Sequence, residues 1–82
     1  MEIVKGSVVR SIAGRDKDVF FIVFEVDDSF VTLVDGRTRR LEKPKIKRKK
    51  HVRATKTVFD TTPLATDRGV RRLLAPFNHP QV

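Results

Sequence analysis

Eight residues, Val19–Val26 (Val-Phe-Phe-Ile-Val-Phe-Glu-Val), constrain this chain more than any other segment. Side chains alternate across an extended strand, so Phe20, Ile22, Phe24 and Val26 share one face, and Val19, Phe21 and Val23 the other until Glu25 breaks it. A strand that is apolar on both faces must be covered twice. In 82 residues with no cysteine, neither a large core nor disulfide staples can supply that cover. The remaining solution is a strongly bent small β-barrel whose interior takes one face while a terminal segment lies over the other.

The flanking segments fit such a design. Val8, Val9, Ile12 and Ala13 predict a strand bracketed by Gly6 and Gly14, and Arg15-Asp16-Lys17-Asp18 predicts a tight charged loop. A glycine where a strand turns into a loop implies positive φ, a bulge or a close backbone approach, so Gly14 has a geometric role. Asp27-Asp28-Ser29 reads as a turn and Phe30–Val34 as the next strand. Asp35-Gly36 between strand-like runs predicts a two-residue hairpin into Arg37–Leu41, with Arg37, Arg39 and Leu41 on one face. Residues 43–50 then read as a basic loop, extended at Lys43 because Pro44 follows, with Ile46 pinning it to the core. His51–Thr55 closes the barrel, with Val52 and Ala54 inward. The phenylalanines lie mostly in alternating apolar contexts, which assigns them to the core rather than to base stacking.

Two parts follow from this: a barrel over 1–56 and an extension over 57–82. In the extension, Thr66 is a helix cap and Asp67 suits the N-terminal dipole of a short helix over about 67–75. Val70, Leu73 and Leu74 form its apolar stripe; Arg68, Arg71 and Arg72 lie off it, and Pro76 and Pro80 end it. Such a stripe more commonly docks on its own barrel than on a partner, and so short a helix would be unstable alone.

The formal charge is +8, and one segment supplies all of the excess. Residues 37–53 hold ten Lys or Arg (Arg37, Arg39, Arg40, Lys43, Lys45, Lys47, Arg48, Lys49, Lys50 and Arg53) against Glu42 alone, while the rest of the chain carries eight basic and nine acidic residues. A polyanion is the natural partner for charge so segregated. Arg15 and Lys17 would project toward phosphates from the turn, and His51, beside the basic run, reads as a backbone- or phosphate-contacting residue.

Other classes lose ground on the same residues. His51 and His79 are far apart, no phosphate-binding glycine loop with its lysine occurs, and no nucleophile-and-base signature is present. The acid pairs Asp16/Asp18 and Asp27/Asp28 fall in turns, which they shape. The chain is expected to be no enzyme and to need neither metal nor cofactor. Its longest apolar run is far below the ~20 residues that span a bilayer, and the expected location is cytoplasmic, with a monomer when free.

Over residues 6–55 the chain also resembles a known family. Gly6-x-Val8-Val9, Ala13-Gly14-Arg15-Asp16-Lys17, Val31-x-Leu33-Val34-Asp35-Gly36, Arg39-x-Leu41, Pro44-Lys45 and Lys50-His51-Val52 look like the bacterial KOW-domain RNA-binding proteins. Those are similar to the fourteen-e type large-subunit ribosomal protein. The Leu-Val-Asp-Gly turn and the Lys-His-Val close are the specific parts. Asp18 departs from the pattern, standing where a second glycine usually follows the lysine. The resemblance implies a mainly β fold, a small SH3-like five-stranded barrel with a short C-terminal helix. It also implies binding to ribosomal RNA. A KOW module that docks on a ribosomal or transcription protein is the alternative it leaves open.

Overall fold

The structure, a computed structural model, describes residues 2–79. Five antiparallel strands form one sheet: β1 (Ser7–Ser11), β2 (Phe20–Val26), β3 (Phe30–Val34), β4 (Lys45–Arg48) and β5 (Val52–Val58), in the order β4-β3-β2-β1-β5. A 3₁₀ turn at Lys49–His51 joins β4 to β5, and helix α1 (Asp67–Asn78) follows. The fold is mainly β, as expected.

The doubly apolar strand is covered on both sides. Val9, Phe21, Val23, Val31, Leu33 and Val52 form an inner core on one face of the sheet. On the other face Val8, Ile22 and Val34 pack against Val70 and Leu74 of α1, with Phe20, Phe24, Leu73 and Phe77 around them. The helix is therefore the second cover, docked on its own sheet. Val26 departs from the simple alternation and packs with the inner core. The cause is a register shift: Val23 pairs with Leu33 but Glu25 with Thr32, so one extra β2 residue reverses the facing of those that follow.

The sheet is not closed, since edge strands β4 and β5 do not pair with each other. It nevertheless curls, because side chains of edge strand β4 reach the loop that follows β1, on the far side of β3 and β2. The Lys49 N–H donates to the Ser29 carbonyl and the Ile12 N–H to the His51 carbonyl, both at 2.9 Å, so the 3₁₀ turn bridges the gap.

Three local expectations change. The fourth strand is Lys45–Arg48, not Arg37–Leu41, so much of the expected basic loop over 43–50 is strand. Asp35-Gly36 does not make a two-residue hairpin; the Asp35 and Gly36 N–H groups both donate to the Arg39 carbonyl, and Asp35 Oδ1 accepts from the Arg37 and Arg39 N–H groups at 2.9 and 2.8 Å. The aspartate side chain builds a wider turn than the dipeptide rule anticipates. Ile46 does not pin anything; it is 67% exposed on the outer side of β4.

Helix α1 starts as expected, with Thr66 Oγ1 accepting from the Gly69 N–H at 3.0 Å. It runs through Pro76 to Asn78, rather than stopping at about 75. Proline forfeits one helical hydrogen bond, but tertiary contacts just beyond it hold the last turn. Asn78 accepts from the Phe20 N–H at 2.8 Å and donates to the Phe20 carbonyl at 3.0 Å, and the Phe77 ring packs on the Phe20 ring at 5.4 Å. The expected stop at Pro80 lies outside the described residues.

Candidate nucleic-acid interface

Strand alternation divides the basic run into two fates. Val31 and Leu33 face the inner core, and their partners on β4 are Lys47 and Lys45. Both lysines therefore point inward, toward the mouth of the curled sheet. There they meet Asp16: Lys45 Nζ lies 2.8 Å from Oδ2 and Lys47 Nζ 2.7 Å from Oδ1. Lys47 also donates to the Ala13 carbonyl at 2.7 Å, and the Ser11 hydroxyl donates to Asp16 Oδ1 at 2.6 Å. The Lys47 side chain is 8% exposed. Burial by itself would raise the pKa of Asp16, but the hydrogen bonds from Lys45, Lys47 and Ser11 outweigh it and hold the carboxyl well below its ordinary value. These two lysines, expected among the RNA contacts, are engaged in clasping β4 to the β1–β2 loop.

The other eight basic residues of 37–53 have no ion-pair partner among the described residues. Arg37, Arg40, Lys43, Arg48, Lys50 and Arg53 are exposed, and Arg39 and Lys49 half-buried. Several nearby carboxylates are occupied by backbone N–H groups. Asp35 serves the turn described above, Asp67 accepts from the Leu41 N–H at 2.8 Å, and Asp27 accepts from those of Ser29 and Phe30. The hydrogen bonds from Phe30 and Ser29 lower the pKa of Asp27.

The free cations fall into two groups. Arg48 sits at one end of β4, its guanidinium 5.6 Å from the centre of the exposed Phe30 ring, followed by Lys49, Lys50 and half-buried His51 in the 3₁₀ turn. Arg53, on β5, lies opposite Arg10, which is ion-paired to Asp18 at 2.8 Å. The second group surrounds the 35–39 turn. One shallow concavity there joins Arg39 to Arg15, and another joins Arg37 to Lys17. The β1–β2 loop and the turn after β3 thus meet at one end of the molecule, as a continuous basic rim.

The helix contributes to that rim. Arg37 shares a cleft of about 360 Å³ with Arg68, Arg71 and Arg72 of α1. The sequence reading noted these three arginines only as lying off the apolar stripe; their spacing, i, i+3 and i+4, was the available sign that they share a face.

The glycines behave as turn geometry requires. Gly6, Gly14 and Gly36 have φ of +94°, +84° and +78°. Asp18 is the one non-glycine residue in this region among those described, at φ 73°, and it stands where the resemblance places a second glycine. The same residues hold no group of three or more His, Cys, Asp or Glu able to bind a metal ion, and no helix long and apolar enough to cross a membrane. Neither a protein-family model nor any curated protein matches this sequence, so what its cations can do is decided from their geometry.

Proposed function

We propose that this protein binds structured RNA, ribosomal RNA being the kind implied by the KOW resemblance, through electrostatic contacts with the phosphate backbone. One observation carries the reading: eight cations of a single short segment are left without carboxylate partners, while two others in that segment are fully engaged inside the fold. Unpaired positive charge held close together is relieved by a polyanion, which releases counterions as it binds. The contacts come from Arg37, Arg39, Arg40, Lys43, Arg48, Lys49, Lys50 and Arg53, with Arg15 and Lys17 from the loop and His51 from the turn. Recognition is by shape, since a duplex RNA presents phosphates and 2′-hydroxyls rather than a readable base code. The protein acts in the cytoplasm.

The test is the salt dependence of binding to a labelled ribosomal RNA fragment. Each neutralised phosphate contributes about −0.7 to −0.9 to the log–log slope, so several contacts give a slope steeper than about −3. A slope near zero overturns the reading, and equal competition by duplex DNA removes its RNA component.

A second reading has one observation in its favour. Ile46 is 67% exposed on β4, an edge of the sheet, and exposed apolar edges are sites of strand addition by a protein partner. The helix stripe does not serve that reading, because Val70 and Leu74 are buried on the protein's own sheet.

A further inference from the structure

We infer that the cleft between α1 and the 35–39 turn is a phosphate clamp, so that the helix is part of the RNA-binding surface and not only a cover for the sheet. The inference rests on the RNA-binding reading and extends it to Arg68 and Arg72, residues outside the basic run.

The turn and the helix are locked together, which makes the cleft a fixed shape. Gly36 backs onto α1 so closely that a Cβ there would strike the Asp67 carbonyl oxygen and lie 2.8 Å from Arg71 Cγ. Arg71 Nη1 donates to the Gly36 carbonyl at 2.7 Å, and the Asp67 carboxylate holds the Leu41 N–H at 2.8 Å. Leu41 itself packs into the outer core beneath the helix. Arg71 is thus the positioning residue, and its hydrogen bond fixes the distance between the two walls. Arg37 on one wall and Arg68 and Arg72 on the other are left to act on a ligand; all three are exposed.

Charge in the cleft favours an anion. Four arginines and one carboxylate, Asp35, line it, and Oδ1 of that carboxylate already accepts two backbone N–H groups. Guanidinium groups grip phosphate oxygens with paired N–H donors, so arginines on two rigid walls suit a phosphodiester lying between them. Pre-ordering both walls removes much of the entropy cost of assembling such a grip. The neighbouring concavities carry Arg15, Arg39 and Lys17, so a strand leaving the clamp runs onto the rest of the basic rim.

The test uses the full chain carrying Arg68→Ala and Arg72→Ala together, titrated with the same RNA fragment across a range of potassium chloride. The expected result is a log–log slope shallower by about 1.4–1.8, two phosphates' worth, with an unchanged thermal midpoint. A slope equal to that of the unmodified protein overturns the clamp while leaving RNA binding standing. A second arm needs no RNA: ¹H–¹⁵N spectra of the arginine Nε groups are followed as inorganic pyrophosphate is added. Shifts at Arg37, Arg68 and Arg72 that saturate support the clamp, and shifts confined to other arginines overturn it. Should the unmodified protein bind no RNA, the functional reading falls, and the pyrophosphate arm alone decides whether the cleft takes phosphate.

Discussion

Lys45 and Lys47 differ from Arg48, Lys49 and Lys50 by no more than a few positions in one run of positive charge, yet they do opposite work. The first pair turns inward with Val31 and Leu33 as neighbours across the strand pair, and finds Asp16; the second group turns outward and finds no carboxylate. Strand alternation alone sorts them. The usual order of side chains is even inverted on β4, where lysines face the core side and Ile46 faces out. Charge density in a sequence therefore does not measure charge available to a ligand; the structural pairs must be subtracted first.

The sharpest way to break that contrast is to remove the inward anion. Asp16→Ala leaves Lys47 nearly buried with only the Ala13 carbonyl as acceptor, and breaking a buried pair in this way costs about 3 kcal/mol. For a domain of this size that lowers the melting temperature by more than about 10 °C, measurable by circular dichroism. A shift below about 2 °C would mean that the clasp is ornamental. The same pair sets an acid limit. Because the folded pKa of Asp16 lies below the ordinary 3.8, its contribution is present above that value and is lost as the pH falls beneath it. Asp16→Asn should flatten the stability profile in that acid range relative to the unmodified protein.

The reciprocal experiment acts on the outward group. Replacing Arg48, Lys49 and Lys50 together by Ala should leave the melting temperature within a few degrees, since surface changes away from specific contacts shift stability by no more than about 0.5 kcal/mol each. RNA binding should weaken, with the log–log slope shallower by about 2.1–2.7. If stability falls and the slope stays, the two sets of cations have been assigned the wrong way round.

A smaller effect is expected at Asp18, beside the clasp. Its φ of 73° is costly for a residue with a Cβ, although aspartate tolerates it better than most. Its ion pair with Arg10 is exposed and weak. Asp18→Gly should therefore stabilise the fold by about 0.5 kcal/mol, checked by urea denaturation, and removing the acid should tighten RNA binding through Arg15 and Lys17.

How far this was legible in the sequence depended on the range of the interaction concerned. The double covering of β2 could be read from its alternation, because being apolar on both faces is a property of the strand itself. The Thr66 cap and the positive φ at Gly14 were equally local. The fourth strand was misplaced because the Asp35 side chain builds its own turn and because α1 packs on Gly36, a contact made across more than thirty residues. Pro76 was read as a stop because nothing near it signals the Asn78 anchor on Phe20. The clasp was missed for the same reason: Asp16 and Lys47 lie 31 positions apart, and only the curl of the sheet brings them together.

The smallest expected effect on folding belongs to Ile46, and it separates the two functional readings most cleanly. With 67% of the side chain exposed, little apolar area is lost when it is replaced, so Ile46→Lys should change stability by no more than about 0.5 kcal/mol. Its partner across the strand pair is Thr32, which offers the new ammonium no counter-charge. If the outer side of β4 lies against RNA, the added cation gains a phosphate: affinity rises and the log–log slope steepens by up to about 0.9. If β4 instead receives a protein strand, a charged group replaces the apolar anchor at the contact and association with that protein is lost. Binding of Ile46→Lys to ribosomal RNA, measured by anisotropy beside the unmodified protein, is thus expected to be tighter, and weaker binding would move the RNA contact away from this edge.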